Sequence, residues 1–159
     1  LGATPLRRST LIFSIVVFRL FVAMGQAAAI IIVARLVFGV PMMGSWPLLI
    51  AMIILGTLTF LAMGYMLSAF AKTERTAVPL LMSIQFPMMF LSGIFFPIEM
   101  MPDFMKPIME AIPLTYLGDS LRQIMVESSA LHAHWINAAV LAGWLVLCLV
   151  VAIRFFKWE

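Results

Sequence analysis

The stretch PLLIAMIILGTLTFLAMGYMLSAF, residues 47–70, contains no charged side chain along its whole length. A helix of about 20 apolar residues is long enough to cross the hydrocarbon core of a bilayer. Trp46, just before the stretch, is typical of the membrane interface, and Pro47 is typical of a first helical turn. Gly64 and Ser68 form a pair of small residues that lets another helix approach closely. The stretch therefore predicts a membrane-spanning helix that packs against other helices.

The composition of the whole chain agrees with this interpretation. Its 159 residues are 64% hydrophobic and 11% charged, whereas a soluble domain has about 45–50% apolar and about 25% charged residues. A soluble domain of this length has too little interior to bury so much apolar surface, so lipid is predicted to surround much of the chain. The net charge of +3 is too small to indicate nucleic-acid binding. Cys148 lies within an apolar run and is predicted to be a small core residue.

Three further apolar stretches, residues 10–38, 76–96 and 135–156, are also predicted to cross the membrane. The first contains Arg19 and Arg35, which lie roughly 24 Å apart along a helix. Each guanidinium can therefore reach its own interface, so that neither charge stays at the bilayer centre. The sequence predicts an all-α, polytopic transmembrane helix bundle with four spans.

The connection at residues 97–134 differs from an ordinary loop. Prolines at positions 97, 102, 107 and 113 interrupt it, and proline breaks or starts a helix. Two short helices are predicted, at residues 102–112 and 115–127, and neither is long enough to cross a bilayer. Such a segment at membrane depth needs protein or water around its free backbone groups. The sequence therefore predicts a broken, re-entrant hairpin.

Basic residues fix the predicted orientation of the chain. They cluster in three places, at Arg7 and Arg8, at Lys72 and Arg75, and at Arg154 and Lys157. With four crossings all three clusters fall on the same side, which the positive-inside rule places in the cytoplasm. Both chain ends are thus predicted to be cytoplasmic, and residues 97–134 external.

Several polar residues are candidates for a transport path. Arg19 and Gln26 are seven residues apart and share a helix face, which can line a path through the membrane. The alternative is an arginine at the interface and a glutamine bonded to a neighbouring helix.

The second short helix of the hairpin carries a further set of candidate residues. Gly118, Asp119 and Arg122 lie on or near its polar side, where they are predicted to face water, while Leu121 belongs to its apolar stripe. The hairpin is predicted to act as an outer lid, with a static cap as the alternative. For Asp119 and Arg122 the simpler alternative is a surface ion pair at i,i+3 spacing.

Sequence motifs for catalysis are missing from the chain. It contains no G-x-x-x-x-G-K-[ST] phosphate loop, no H-E-x-x-H and no G-x-S-x-G, so neither ATP binding nor hydrolysis is predicted. His132 and His134 have no further metal ligand nearby and are interpreted as polar interfacial residues. The chain is therefore predicted not to be an enzyme and to hold no cofactor or metal.

The segment FLSGIFFPIEMMPDFMKPIMEAIPLTYLGDSLR, residues 90–122, closely resembles the signature region of type-2 ABC transporter permeases. These are the membrane subunits of drug, antibiotic and polysaccharide exporters. Residues 1–20, Gln26, the turn at residues 36–45 and the loop at residues 71–77 also resemble that family, in the expected order. The resemblance covers nearly the whole chain, and residues 90–122 are its most specific part.

This resemblance implies the permease subunit of a plasma-membrane ABC exporter. A second permease subunit, identical or different, would complete the pathway in the lipid bilayer, and separate ATP-binding subunits would hold ATP and magnesium. Residues 1–9 would form the cytoplasmic coupling segment, with Ala3, Thr4, Pro5 and Leu6 at the ATPase. Because the family's permease has six spans, the chain would supply the last four, and alone it is not expected to transport.

Two alternatives come from other classes of protein. A fragment of an ion-coupled secondary transporter would favour acidic residues at the membrane midplane, whereas every Asp and Glu lies outside the predicted spans. An intramembrane hydrolase would need a nucleophile or metal site within the bilayer.

Overall fold

The computed structural model describes residues 8–41, 43–70, 74–96, 100–126 and 133–155. All regular secondary structure in these ranges is helical, which confirms the predicted all-α fold class. The helices are α1 (Arg8–Leu36), α2 (Trp46–Phe70), α3 (Glu74–Leu91), α4 (Lys106–Glu110), α5 (Pro113–Val126) and α6 (His134–Phe155), with a 3-10 turn at Asp103–Met105 before α4.

Three of the described helices are long and apolar enough to cross a membrane, at Phe13–Leu36, Trp46–Ser68 and His134–Arg154. They coincide with the predicted spans at 10–38, 47–70 and 135–156. The remaining predicted span, 76–96, falls on a shorter apolar helix, Arg75–Leu91. The described residues therefore contain three candidate spans, and a fourth crossing stays a prediction.

Helix α3 ends before the predicted boundary at residue 96. It continues through Pro79 and Pro87 without interruption and stops at Leu91. Gly93 follows with φ 77°, a left-handed backbone conformation that glycine adopts readily and that commonly ends helices. The glycine, rather than either proline, thus marks the end of this helix.

The predicted pair of short helices between α3 and α6 is present. The first, predicted at 102–112, is the 3-10 turn Asp103–Met105 together with α4, and the second, predicted at 115–127, is α5. Lys106 forms an i,i+3 ion pair with Asp103, and its hydrogen bond and charge hold the pKa of that carboxyl below its ordinary value. Both groups are exposed, so the pair contributes little to stability.

The chain divides into two compact units, residues 1–40 and 41–159. In the first unit, α1 buries none of the span Phe13–Leu36. Its phenylalanines Phe13, Phe18 and Phe21 are 69%, 68% and 78% exposed. Water disfavours such a surface, whereas lipid or an apolar protein surface accommodates it.

The core of the second unit lies where α2, α5 and α6 meet. Helices α2 and α6 form the most extensive helix pair, and α5 contacts both of them. Leu49 of α2, Ile124 of α5 and Leu141 of α6 are almost completely buried. Cys148 is a free, buried thiol in the same core, as predicted for a small apolar residue.

Candidate functional site

Helix α5 buries much of its polar side as well as its apolar side. Thr115, Asp119, Ser120 and Gln123 are all buried, and Asp119 is only 6% exposed. Aspartate is almost never fully buried unless its charge is paired or hydrogen-bonded. The sequence predicted a water-facing position for this residue, but the structure places it between α5 and α6.

Asp119 is held in this position by two side-chain amides. Gln123 Nε2, one helical turn further along α5, donates to Asp119 Oδ2 at 2.7 Å. Asn137 Nδ2 of α6 donates to the same oxygen at 3.0 Å. Hydrogen bonds to a charged acceptor are roughly twice as strong as those between neutral groups. The carboxylate therefore connects the short helix to the last long helix.

Other buried polar atoms on these two helices are less well satisfied. Thr115 Oγ1, Ser120 Oγ and Asn137 Oδ1 are buried and form no hydrogen bond within the described part of the chain. For Asn137 this means that one end of the amide binds Asp119 while the other end has no donor. Because an unpaired buried polar group costs free energy, these three atoms lower the stability of the packing between α5 and α6.

Arg122 contacts the segment that follows α3. Its Nη2 donates to the backbone carbonyl of Gly93 at 3.2 Å, just beyond the end of α3. Arg122 thus contacts the end of α3, while Asp119 contacts Gln123 and, on α6, Asn137.

The apolar side of α5 packs on α2 and on the turn before it. A Cβ added to Gly56 of α2 would lie 2.7 Å from Leu117 Cδ1 and Cδ2, so only glycine leaves room for that leucine. The backbone N–H of Gly44 donates to Ile124 O at 2.8 Å. Gly118 and Leu121 are half-buried. Leu117, on the apolar side of α5, therefore contacts α2 within the chain.

The remaining predicted site residues lie elsewhere. Arg19 and Gln26 are both exposed on α1, in the first unit. Ala3, Thr4, Pro5 and Leu6 lie outside the described residues, as does His132. His134 begins α6 and is exposed. The described residues contain no group of three or more His, Cys, Asp or Glu that could hold a metal ion.

The sequence analysis missed two polar residues that connect the long helices. Asn137 is fully buried and binds Asp119. Thr59 of α2 is also fully buried, and its Oγ1 donates to Leu141 O of α6 at 3.1 Å. An amide or a hydroxyl within a long apolar stretch needs a hydrogen-bond partner. This requirement could have identified both residues from the sequence.

Comparison with known proteins identifies the family. Residues 2–154 match the profile of the family described as "ABC-2 family transporter protein". The chain is also similar to ABC transporter G family member 20 of Dictyostelium discoideum, with 25% identity over 155 residues. That alignment covers 96% of this chain and 21% of the relative, so the chain spans about a fifth of the relative's length. No solved structure matches the chain.

The family match confirms the resemblance to type-2 ABC permeases. The family is a transport-type membrane domain rather than a catalytic one, and the three apolar helices agree with a location in a membrane. Because the match extends over nearly all of its residues, the chain belongs to the ABC-2 transporter family and forms a membrane part of an ABC transporter.

Proposed function

We propose that the chain forms part of the translocation pathway of an ABC exporter and that ATP hydrolysis on a separate subunit drives it. The match of residues 2–154 to the family carries this proposal. The proposed direction of transport is export rather than import. It rests on the resemblance of residues 90–122 to the permeases of drug, antibiotic and polysaccharide exporters. The proposed location is the plasma membrane.

The proposed topology has four crossings, with α3 as the third of them. Helix α3 has 18 residues and is about 27 Å long, which is close to the hydrocarbon thickness of about 30 Å. With this crossing, the basic clusters near both chain ends and in the loop around Lys72 and Arg75 lie on the cytoplasmic side. Helices α4 and α5 then lie on the outer side as a re-entrant hairpin.

The proposed partners are an ATP-binding subunit and a second permease subunit. Residues 1–9 would contact the ATP-binding subunit through Ala3, Thr4, Pro5 and Leu6, while that subunit holds ATP and magnesium. The exposed apolar surface of α1 supports contact with lipid and with a second membrane subunit. Arg19 and Gln26, exposed on the same helix, are candidates to line the path between subunits.

Purification of the intact transporter from its native membrane tests this function. A subunit with a phosphate loop should co-purify, and its ATP hydrolysis should respond to the membrane subunit. Replacing Thr4 and Leu6 with Asp should uncouple hydrolysis from transport, whereas His134→Asp, on the proposed outer side, should not. If transport follows an imposed ion gradient and no ATPase is bound, the ion-coupled alternative is correct instead.

A further inference from the structure

A cavity of about 470 Å³ lies between α2, α3 and α5. Phe60, Met63 and Gly64 form part of its α2 wall, and Gln85 and Met88 form part of its α3 wall. Small-molecule sites usually have volumes of about 300–1,000 Å³. The cavity is thus large enough for an organic ligand, and it is separate from the Asp119 contacts between α5 and α6.

The wall of the cavity selects for uncharged compounds. None of the described residues that line it carries a charge, and Gln85 is their only polar side chain. A charged ligand would lose its hydration here without gaining a counter-ion, which is strongly unfavourable. An uncharged ligand would lose far less, and the amide of Gln85 can both donate and accept one of its hydrogen bonds.

The wall is also adaptable. Met63 lies on one side of the cavity, with Met88 and Met89 on the other. Methionine side chains are flexible and polarisable, so they can repack around ligands of different shape.

Gly64 leaves room on the α2 side of the cavity. A Cβ added there would meet no atom within 4 Å, whereas one added to Gly56, on the same helix, would clash with Leu117. Helix α5 thus packs closely against α2 at Gly56, whereas the cavity lies further along α2, at Gly64.

We infer that this cavity binds a neutral lipophilic molecule with one hydrogen-bonding group, such as an amide, carbonyl or hydroxyl, placed at Gln85. Such compounds concentrate in the bilayer around α2 and reach the site from there. The acyl chain of a membrane lipid fits less well, because it offers no partner to the Gln85 amide. This inference rests on the membrane location of the chain and does not depend on ATP-driven export. A failure to bind the ligand and a failure to export can therefore be distinguished by experiment.

Photolabelling of the intact transporter in phosphatidylcholine vesicles, without ATP, tests the inference. The probe is an uncharged benzamide that carries an aryl diazirine, and mass spectrometry locates its adducts. Adducts should concentrate on the peptides around residues 60–67 and 81–89, and excess benzamide without the diazirine should remove them. A quaternary ammonium analogue of the same size should not compete.

Two glycine variants provide a matched comparison. Gly64→Leu should fill the cavity and abolish labelling of both peptides. Gly143→Leu on α6 should leave labelling unchanged, because a side chain there also meets no atom within 4 Å and Gly143 does not line the cavity. Leu67→Trp provides a second way to fill the cavity if Gly64→Leu does not yield monodisperse protein.

A third variant tests the role of Gln85. Gln85→Leu should weaken competition by the benzamide by about threefold to tenfold, the effect of losing one hydrogen bond. Labelling by a phenyl diazirine without the amide should be unaffected.

Equal labelling in the Gly64→Leu and Gly143→Leu proteins, or adducts spread evenly over all apolar helices, would overturn the inference. Labelling by a diazirine on a phospholipid acyl chain alone would identify lipid as the occupant and would overturn it as well.

Discussion

Asn137 Nδ2 donates a 3.0 Å hydrogen bond to Asp119 Oδ2, and this contact connects the long helix α6 to the short amphipathic helix α5. Both residues are buried, Asn137 completely. A carboxylate at such a site needs donors to offset its desolvation, and Gln123 supplies the second one. The position of α5 therefore depends on polar contacts as well as on its apolar stripe.

We expect Asn137→Leu to lower the free energy of unfolding by about 1.5–3 kcal/mol, because it removes a hydrogen bond to a charged group and leaves Asp119 with one donor fewer. Unfolding in mixed detergent micelles, followed by tryptophan fluorescence, measures this loss. The double variant Asp119→Leu with Asn137→Leu should lose less than the sum of the two single variants, since both single variants already remove the same Asp119–Asn137 hydrogen bond. Additive losses would show that the two side chains do not stabilise each other.

Thr59 should contribute to the packing of α2 on α6, whereas Thr57 should not. Thr59 Oγ1 donates both to Leu55 O in its own helix and to Leu141 O in α6. Thr57 Oγ1 donates to Ile53 O, a contact within α2. We expect Thr59→Val to cost about 0.5–1.5 kcal/mol of unfolding free energy. The matched variant Thr57→Val should cost clearly less, and the same unfolding assay would refute the assignment if the two costs were equal.

Three glycines should differ in their tolerance of a methyl group. A Cβ at Gly44 would lie 2.7 Å from the backbone oxygen of Ile124, which cannot rotate away. At Gly56 it would meet the mobile end of Leu117, and at Gly64 it would meet nothing within 4 Å. We expect Gly44→Ala to lose most stability and Gly56→Ala about 1–3 kcal/mol, while Gly64→Ala should be neutral or better.

A compensating change separates crowding from other effects at Gly56. Shortening the neighbour with Leu117→Ala should recover part of the stability that Gly56→Ala loses, because the added methyl then has space. It should not improve Gly44→Ala, whose clash involves backbone atoms. A stability order different from the one expected, measured on purified protein, would show that α5 does not pack on α2 in this way.

The helical fold and three of the candidate spans could be predicted from the sequence, because a long apolar stretch that crosses lipid has few alternatives to a helix. The run at residues 47–70 contains no charge, and lipid requires its backbone to form its own hydrogen bonds. The boundary near residue 96 was harder to predict, because the apolar stretch continues to residue 96 whereas the helix ends at Leu91, before Gly93 with its positive φ.

The polar contacts of the candidate site could not be predicted to the same degree. Asp119 lies three residues before Arg122, and this local spacing indicated an ion pair. Asp119 does bind a neighbour on its own helix, Gln123, but Arg122 binds the carbonyl of Gly93 and Asp119 also binds Asn137, and both of these partners are far away along the chain. Helical spacing shows which residues share a face, but the packing of separate helices determines which contacts form.

Two cysteine positions test the proposed topology. Arg75 lies at the start of α3 and Ala133 just before α6, and both are exposed. With Cys148 replaced by Ala, we expect Ala133→Cys to react with a membrane-impermeant maleimide on intact cells. Arg75→Cys should react only after the membrane is opened. The same behaviour at both positions, with either both or neither reacting on intact cells, would mean that α3 does not cross the membrane between them.

The proposed lid can be tested at Leu121, which is half-buried on α5. If α5 moves against its neighbours during transport, a charge at this position should obstruct one of its two packed states. We therefore expect Leu121→Asp to reduce export per folded molecule at least severalfold in the intact transporter. Ile108→Asp on α4, where the side chain is 51% exposed, should reduce it much less. Transport in vesicles, normalised to monodisperse protein, measures both effects.

A distance measurement separates a moving lid from a static cap. Spin labels at Gly118, placed in both permease subunits, should change their separation between the nucleotide-free and ATP-trapped states if α5 opens the outer exit. The bond from Arg122 to Gly93 should then break or re-form, so Arg122→Gln should shift the balance between the two distances. A static cap predicts one unchanged distance and a Leu121→Asp protein that loses stability but keeps wild-type export per folded molecule. That pair of results would rule out the lid, because α5 would then support the pathway without moving.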